Sequence, residues 1–107
     1  MTVLELFSNE SAWTKGCLAR DKYKNASSAI SSKATCFCLL GGVYRAYPDA
    51  SPEFRAEIFN KIYSAIRTVF PNQNPGITSN KELIVVFNDQ SDTTYQMVMK
   101  VLQVAQV

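Results

Sequence analysis

The sequence predicts a mainly α fold, a compact bundle of three to five helices with an irregular N-terminal loop or small hairpin. Three observations predict it. Ser51-Pro52 is followed by Phe54, Ile58, Ile62, Ala65, Ile66 and Val69, an apolar stripe at spacings of three and four. A second such stripe, Tyr95, Val98, Val101, Leu102 and Ala105, occupies the C-terminal end. Between Cys36 and Val43 a nearly unbroken apolar run ends in the paired glycines Gly41 and Gly42, which marks a buried central element. With 107 residues and 47% hydrophobic content, the chain has the size of one domain spanning 1–107.

Taken in order, Val3 to Phe7 is a short apolar opening, read as a short helix or docking segment. Ser8-Asn9-Glu10-Ser11 supplies capping and turn side chains. From Trp13 to Ser32 the pattern is irregular, with Gly16, Asn25 and several serines, so an ordered loop or small hairpin is expected. Ser32 is placed as the cap of a helix running through the cysteine pair to Ala46, and Pro48 forbids its continuation. Gly41 and Gly42 each cost such a helix on the order of 1 kcal/mol relative to alanine, so another backbone or a ligand is expected to pack against them.

Ser51 as cap and Pro52 in the first turn start the next helix, which runs to about Val69 before Pro71. Asn72 to Asn80 is a polar loop with a Pro75-Gly76 turn. Leu83 to Phe87 is short and β-branched. Periodicity leaves helix and strand open there; a short helix capped by Ser79 or Asn80 is preferred, with α+β carrying a strand at 83–87 as the alternative. Thr93, with Gln96 three residues on, predicts a capping box at the start of the last helix.

Composition narrows function chiefly by exclusion. The chain has no histidine, and so lacks the usual base for a Ser or Cys nucleophile and the commonest neutral metal ligand. A zinc site built from Cys17, Cys36 and Cys38 would have to recruit a carboxylate at poor spacing, so neither a metal nor another cofactor is expected. Three cysteines and no stretch resembling a secretory signal point to a reducing, cytoplasmic location. No apolar run reaches the roughly 20 residues a membrane span requires.

A net charge of +2 is too small to announce a nucleic-acid binder, although the distribution is uneven. Lys15, Arg20, Lys22, Lys24 and Lys33 face a single acid, Asp21, between residues 15 and 33, a local charge of +4. With Trp13 and Tyr23 interleaved, this segment reads either as a solvated loop or as a basic surface, at Lys15, Lys22 and Lys24, for an anionic partner such as a nucleotide. Tyr44, Tyr47, Tyr63 and Phe70 read as packing; exposed together they would mark an interface, including one between copies of the chain.

Two polar clusters stand against the apolar frame, Trp13-Thr14-Lys15-Gly16 running on to Ala19-Arg20-Asp21, and Phe87-Asn88-Asp89. Asn88 and Asp89 precede the final helix and suit the capping of a turn. In the alternative readings, Arg20, Asp21, Asn88 and Asp89 converge into a ligand pocket floored by Gly41 and Gly42 and walled by Trp13, or form a structural ion-pair network that holds the irregular loop against the helices. Cys38 is the obvious nucleophile, but apolar mid-helix surroundings would raise its pKa and leave it inert.

Together with Cys38-Leu39-Leu40-Gly41, these clusters make the chain resemble an uncharacterised family of small bacterial and phage proteins, a domain-of-unknown-function group. Its pattern runs Trp-x-x-Gly, Ala-Arg-Asp, Cys-x-x-Gly-Ala, then an aromatic-Asn-Asp ahead of a final helix; Gly42 departs from the alanine of that pattern. The resemblance implies a set of residues and no reaction. The expectation is therefore a non-enzymatic binding protein, an accessory factor that occupies a host protein or sequesters an anionic small ligand. The rival is a small hydrolase or transferase using Asp21 and Asp89 with Arg20 as the electrophilic clamp.

Overall fold

The computed structural model describes residues 1–107. Thr2 opens the first helix, α1 (Val3–Leu6): its hydroxyl accepts the Glu5 amide at 3.0 Å, and the Glu5 carboxylate accepts the Thr2 amide at 2.7 Å. α1 buries Val3, and Phe7 just after it is also buried. Asn9 then caps a single 3-10 turn, Glu10–Ala12.

The hairpin expected in the irregular segment is present and belongs to a three-stranded antiparallel sheet. β1 (Ala19–Asp21) pairs with β2 (Ala26–Ser27) and with β3 (Ala34–Phe37), in the order β2-β1-β3. The loop Lys22-Tyr23-Lys24 closes the hairpin as a turn followed by a left-handed residue. Asp21 O accepts the Lys24 amide at 3.0 Å, Lys24 sits at φ 69°, and Asp21 Oδ1 accepts the amides of Tyr23 at 2.9 Å and Asn25 at 3.1 Å.

β3 corrects the sequence reading. The helix expected from Ser32 through the cysteines begins only at Leu39, as α2 (Leu39–Ala46), and residues 34–37 are extended. An apolar run is buried in either conformation, so its hydrophobicity did not decide between them. What decides is the partner strand β1, whose three residues are too few to announce themselves. Cys38 is therefore not a mid-helix residue; it is the cap of α2, its Sγ accepting the Gly41 amide at 3.3 Å. The mainly α expectation thus gives way to an α+β arrangement, but the strands lie before residue 38 and not at 83–87.

The later helices follow the pattern closely. α3 (Pro52–Val69) is capped by Ser51, whose hydroxyl accepts the Phe54 amide at 3.1 Å, and it buries Ile58, Ile62, Ala65 and Ile66 from the expected stripe together with Phe59. Phe54 itself is exposed and meets the ring of Tyr47 edge-on. α4 (Asn80–Asp89), capped by Ser79, resolves the ambiguous 83–87 segment as helix. α5 (Tyr95–Ala105) starts one residue later than expected. Thr94 is its cap, with Met97 as the reciprocal partner, whereas Thr93 is buried and donates its hydroxyl to the Phe87 carbonyl at 2.6 Å.

α3 packs across α4 and α5, α2 lies between the sheet and α4, and α1 closes over α2 and α5. A core of 21 buried apolar residues draws on all five helices and on β1 and β3. Tyr44, Tyr47, Tyr63 and Phe70 pack half-buried against it. The two ends of the chain meet: Leu4 donates its amide to the Val107 carbonyl at 3.0 Å, and Val107 is itself buried.

Candidate functional site

Asn88, in the last turn of α4, is completely buried and uses its whole hydrogen-bonding capacity. Its Oδ1 accepts the Trp13 indole N–H at 2.7 Å and the Leu39 amide at 3.0 Å; its Nδ2 donates to the Thr14 carbonyl at 3.1 Å and to Asp89 Oδ1 at 2.9 Å. Only this orientation of the amide satisfies all four partners, since the reverse would set N–H against N–H. The bond to Leu39 satisfies the first free amide of α2, so one side chain caps α2 and anchors the tryptophan loop. The neighbouring Asp89 accepts the Gly16 amide at 3.0 Å, where Gly16 takes φ +90°, a left-handed conformation suited to glycine. Lys15 lies over the Trp13 ring and donates to the Gln90 carbonyl.

Arg20 also grips this loop and ties it to the hairpin turn. Its guanidinium donates to Thr14 Oγ1 at 3.1 Å, to the Lys15 carbonyl at 2.9 Å and to the Lys24 carbonyl at 3.1 Å. Both glycines of α2 face the chain itself: a Cβ on Gly41 would stand 1.9 Å from the Leu18 carbonyl oxygen, and one on Gly42 would stand 2.4 Å from the Phe7 ring. Of the two expectations for these glycines, close packing of another segment is the one the structure realises.

The structure therefore brings Trp13, Asn88 and Asp89 together, with Arg20 bound to the same loop at Thr14 and Lys15. Asp21 stands apart in the hairpin turn. Trp13, Arg20 and Asn88 spend their polar groups on partners within the chain, Leu18 and Phe7 close over Gly41 and Gly42, and Asp89 is exposed.

Three of the four motifs read from the sequence thus meet directly in one joint, Trp13 to Gly16, Cys38 to Gly41 and Phe87 to Asp89, and Arg20 of the fourth binds the same loop while its Asp21 does not. Residues 4–106 match the family of unknown function DUF6197. The chain belongs to that family. No curated protein and no solved structure matches it significantly. In this DUF6197 member Asn88, Asp89 and Arg20 fasten the tryptophan loop, and an open surface lies beside the hairpin.

That open surface is a hollow of about 530 Å³ beside the hairpin, lined by Asp21, Lys22, Tyr23, Ser32, Lys33 and Thr35. Lys22 and Lys33 are exposed, Lys22 reaches over the ring of Tyr23 at 5.1 Å, and Tyr23 is 73% exposed. Lys24 lies in the same turn, while Lys15 is committed to the joint. Sequence reasoning named Lys22, Lys24 and Tyr23 and counted Lys33 in the basic segment. It missed Ser32 and Thr35 as lining, because the crossover that carries Ser32 and the strand β3 that carries Thr35 leave no local pattern.

Cys17, Cys36 and Cys38 are free thiols, the last two buried. Burial pushes the Cys38 thiol above its ordinary range, against the opposing pull of the Gly41 and Leu40 amides. A folded pKa raised above the unfolded one contributes stability that is complete below the ordinary thiol pKa and is lost as pH rises through the raised value. From about pH 8 to about pH 10, the wild type is expected to lose more stability than Cys38→Ser, which cannot ionise in that range. Urea midpoints for the two proteins at both pH values measure the difference, and equal losses would contradict it.

Proposed function

We propose that the protein is a small non-enzymatic binding protein that holds an acidic partner protein against its hairpin side. The observation that carries this reading is the hollow at Lys22, Tyr23 and Lys33, where basic and aromatic side chains are exposed next to the sheet. Three free thiols support a reducing, cytoplasmic setting. The role fits an accessory factor of phage or prophage origin that occupies a host protein.

The hydrolase or transferase reading finds little support in the same geometry. Asp21 Oδ1 is occupied by two turn amides and Asp89 Oδ1 by Gly16 and Asn88, and the Arg20 guanidinium is spread over three oxygens. Cys38, capping α2 from a buried position with its pKa raised, is a poor nucleophile.

Amide chemical-shift titrations of the full chain with polyglutamate, and separately with ATP as a small anion, test the proposal. Polyglutamate is expected to shift residues 21–24 and 32–35, and Lys22→Glu/Lys24→Glu is expected to weaken this binding by about tenfold or more. Shifts that survive the charge reversal, or that centre elsewhere, would overturn the reading. ATP shifting these amides where polyglutamate does not would replace the partner protein with a small anionic ligand.

A further inference from the structure

The crossover from β2 to β3 runs the length of the sheet: Ser27 lies opposite Ala19 at one end, and Ala34 opposite Asp21 at the other. It is fastened along its course. Arg45 of α2 donates one guanidinium nitrogen to the Ala29 carbonyl at 3.2 Å and to the Ser31 carbonyl at 2.7 Å. The Ser31 amide returns to the Ser28 carbonyl at 3.1 Å, and the Ala29 side chain is buried beneath. Ile30 sits between the two clamped carbonyls and is nevertheless 65% exposed.

A stem this rigid holds the isoleucine outward at little further cost in entropy when a partner arrives, which is the condition for an anchor residue. Beside it, at the Ala19 end of the sheet, lies a second hollow of about 240 Å³ lined by Leu18, Ser28, Ala29, Ile30 and Tyr44, with Leu18 42% exposed. At the Asp21 end lies the basic hollow described above.

We infer that the two hollows form one docking surface for an extended segment of a partner protein, which sets a bulky apolar side chain against Leu18 and Ile30 and acidic side chains against Lys22 and Lys33. Charge complementarity selects the acid, and the apolar hollow selects a polypeptide over a free nucleotide or phosphate. The three residues of β1 separate the hollows by about 10 Å, a span of about three or four extended residues. This surface deepens the binding role proposed above and depends on it.

Selection from a displayed library of random peptides of about twelve residues, against the full chain, tests the surface. Enriched peptides are expected to combine acids with Leu, Phe or Trp, and to lose about tenfold or more in affinity both for Leu18→Ser/Ile30→Ser and for Lys22→Glu/Lys24→Glu. Thermal melts of the four-residue set, all exposed positions, confirm that each variant is folded. Acid-only peptides that respond to the lysine change but not to Leu18→Ser/Ile30→Ser would overturn the anchor while leaving the binding role standing. No enrichment, or peptides indifferent to both changes, would overturn both.

Discussion

Asn88→Ala is expected to lower stability by about 3 kcal/mol or more, because each buried polar group left without a partner costs about 1–3 kcal/mol. The substitution leaves three groups without this partner: the buried Leu39 amide and the half-buried Trp13 indole N–H and Thr14 carbonyl. Against a typical total stability of about 5–15 kcal/mol, such a loss brings the protein close to unfolding. In urea the midpoint should fall by on the order of 1–3 M. The chain has a single tryptophan, so its fluorescence reports the joint directly and should shift to the red in native buffer as Trp13 is released. Asn88→Asp is a sharper variant, keeping both accepted bonds while losing the donation to Thr14 and placing a second carboxylate beside Asp89. It should be nearly as damaging at neutral pH and partly relieved by acid. An Asn88→Ala protein within about 1 kcal/mol of wild type would mean that the tryptophan loop is held by something else.

Gly41→Ala should also destabilise, by about 1–3 kcal/mol or more, the range of an overpacked interior. Alanine is the better helix former by about 1 kcal/mol, so intrinsic propensity alone predicts the opposite sign. Sterics win because the new Cβ would lie 1.9 Å from a backbone oxygen, that of Leu18. That carbonyl cannot easily turn away, since it accepts the Cys38 amide at 3.1 Å at the point where β3 hands over to α2. Gly76→Ala provides the comparison: nothing lies within 4 Å of its Cβ position, and the change should be neutral or stabilise by up to about 1 kcal/mol. Denaturant curves for the pair decide the matter, and a Gly41→Ala protein as stable as Gly76→Ala would refute the close approach.

What the sequence made legible was whatever is written locally. Ser51-Pro52 and the stripe after it located α3, Ser79 preceded α4, and Pro48 and Pro71 marked where helices had to end. The sheet was not legible, since each strand has between two and four residues and exists only through partners distant in the chain. The start of α5 slipped by one residue because Thr93 and Thr94 are equally good caps on paper; burial of Thr93 beneath the end of α4 assigns the role to Thr94. For the site, polarity within an apolar frame singled out Trp13 and Asn88, which meet in the structure from about 75 residues apart in sequence. It did not separate a satisfied network from an open pocket. That distinction rests on which hydrogen bonds are already made, and no residue type states it.

The bond from Leu4 to Val107 has a topological consequence. Since α1 and Val107 sit side by side, residues 1–107 form almost a ring, and a short peptide between these two points would close it. A break in the chain could then be opened at Gly76, where the Cβ position has no neighbour within 4 Å, at the expense of the Arg67 bonds to the Asn74 and Ile77 carbonyls that straddle it. A circular permutant of this kind would leave the three strands and their crossover, residues 19–37, unbroken.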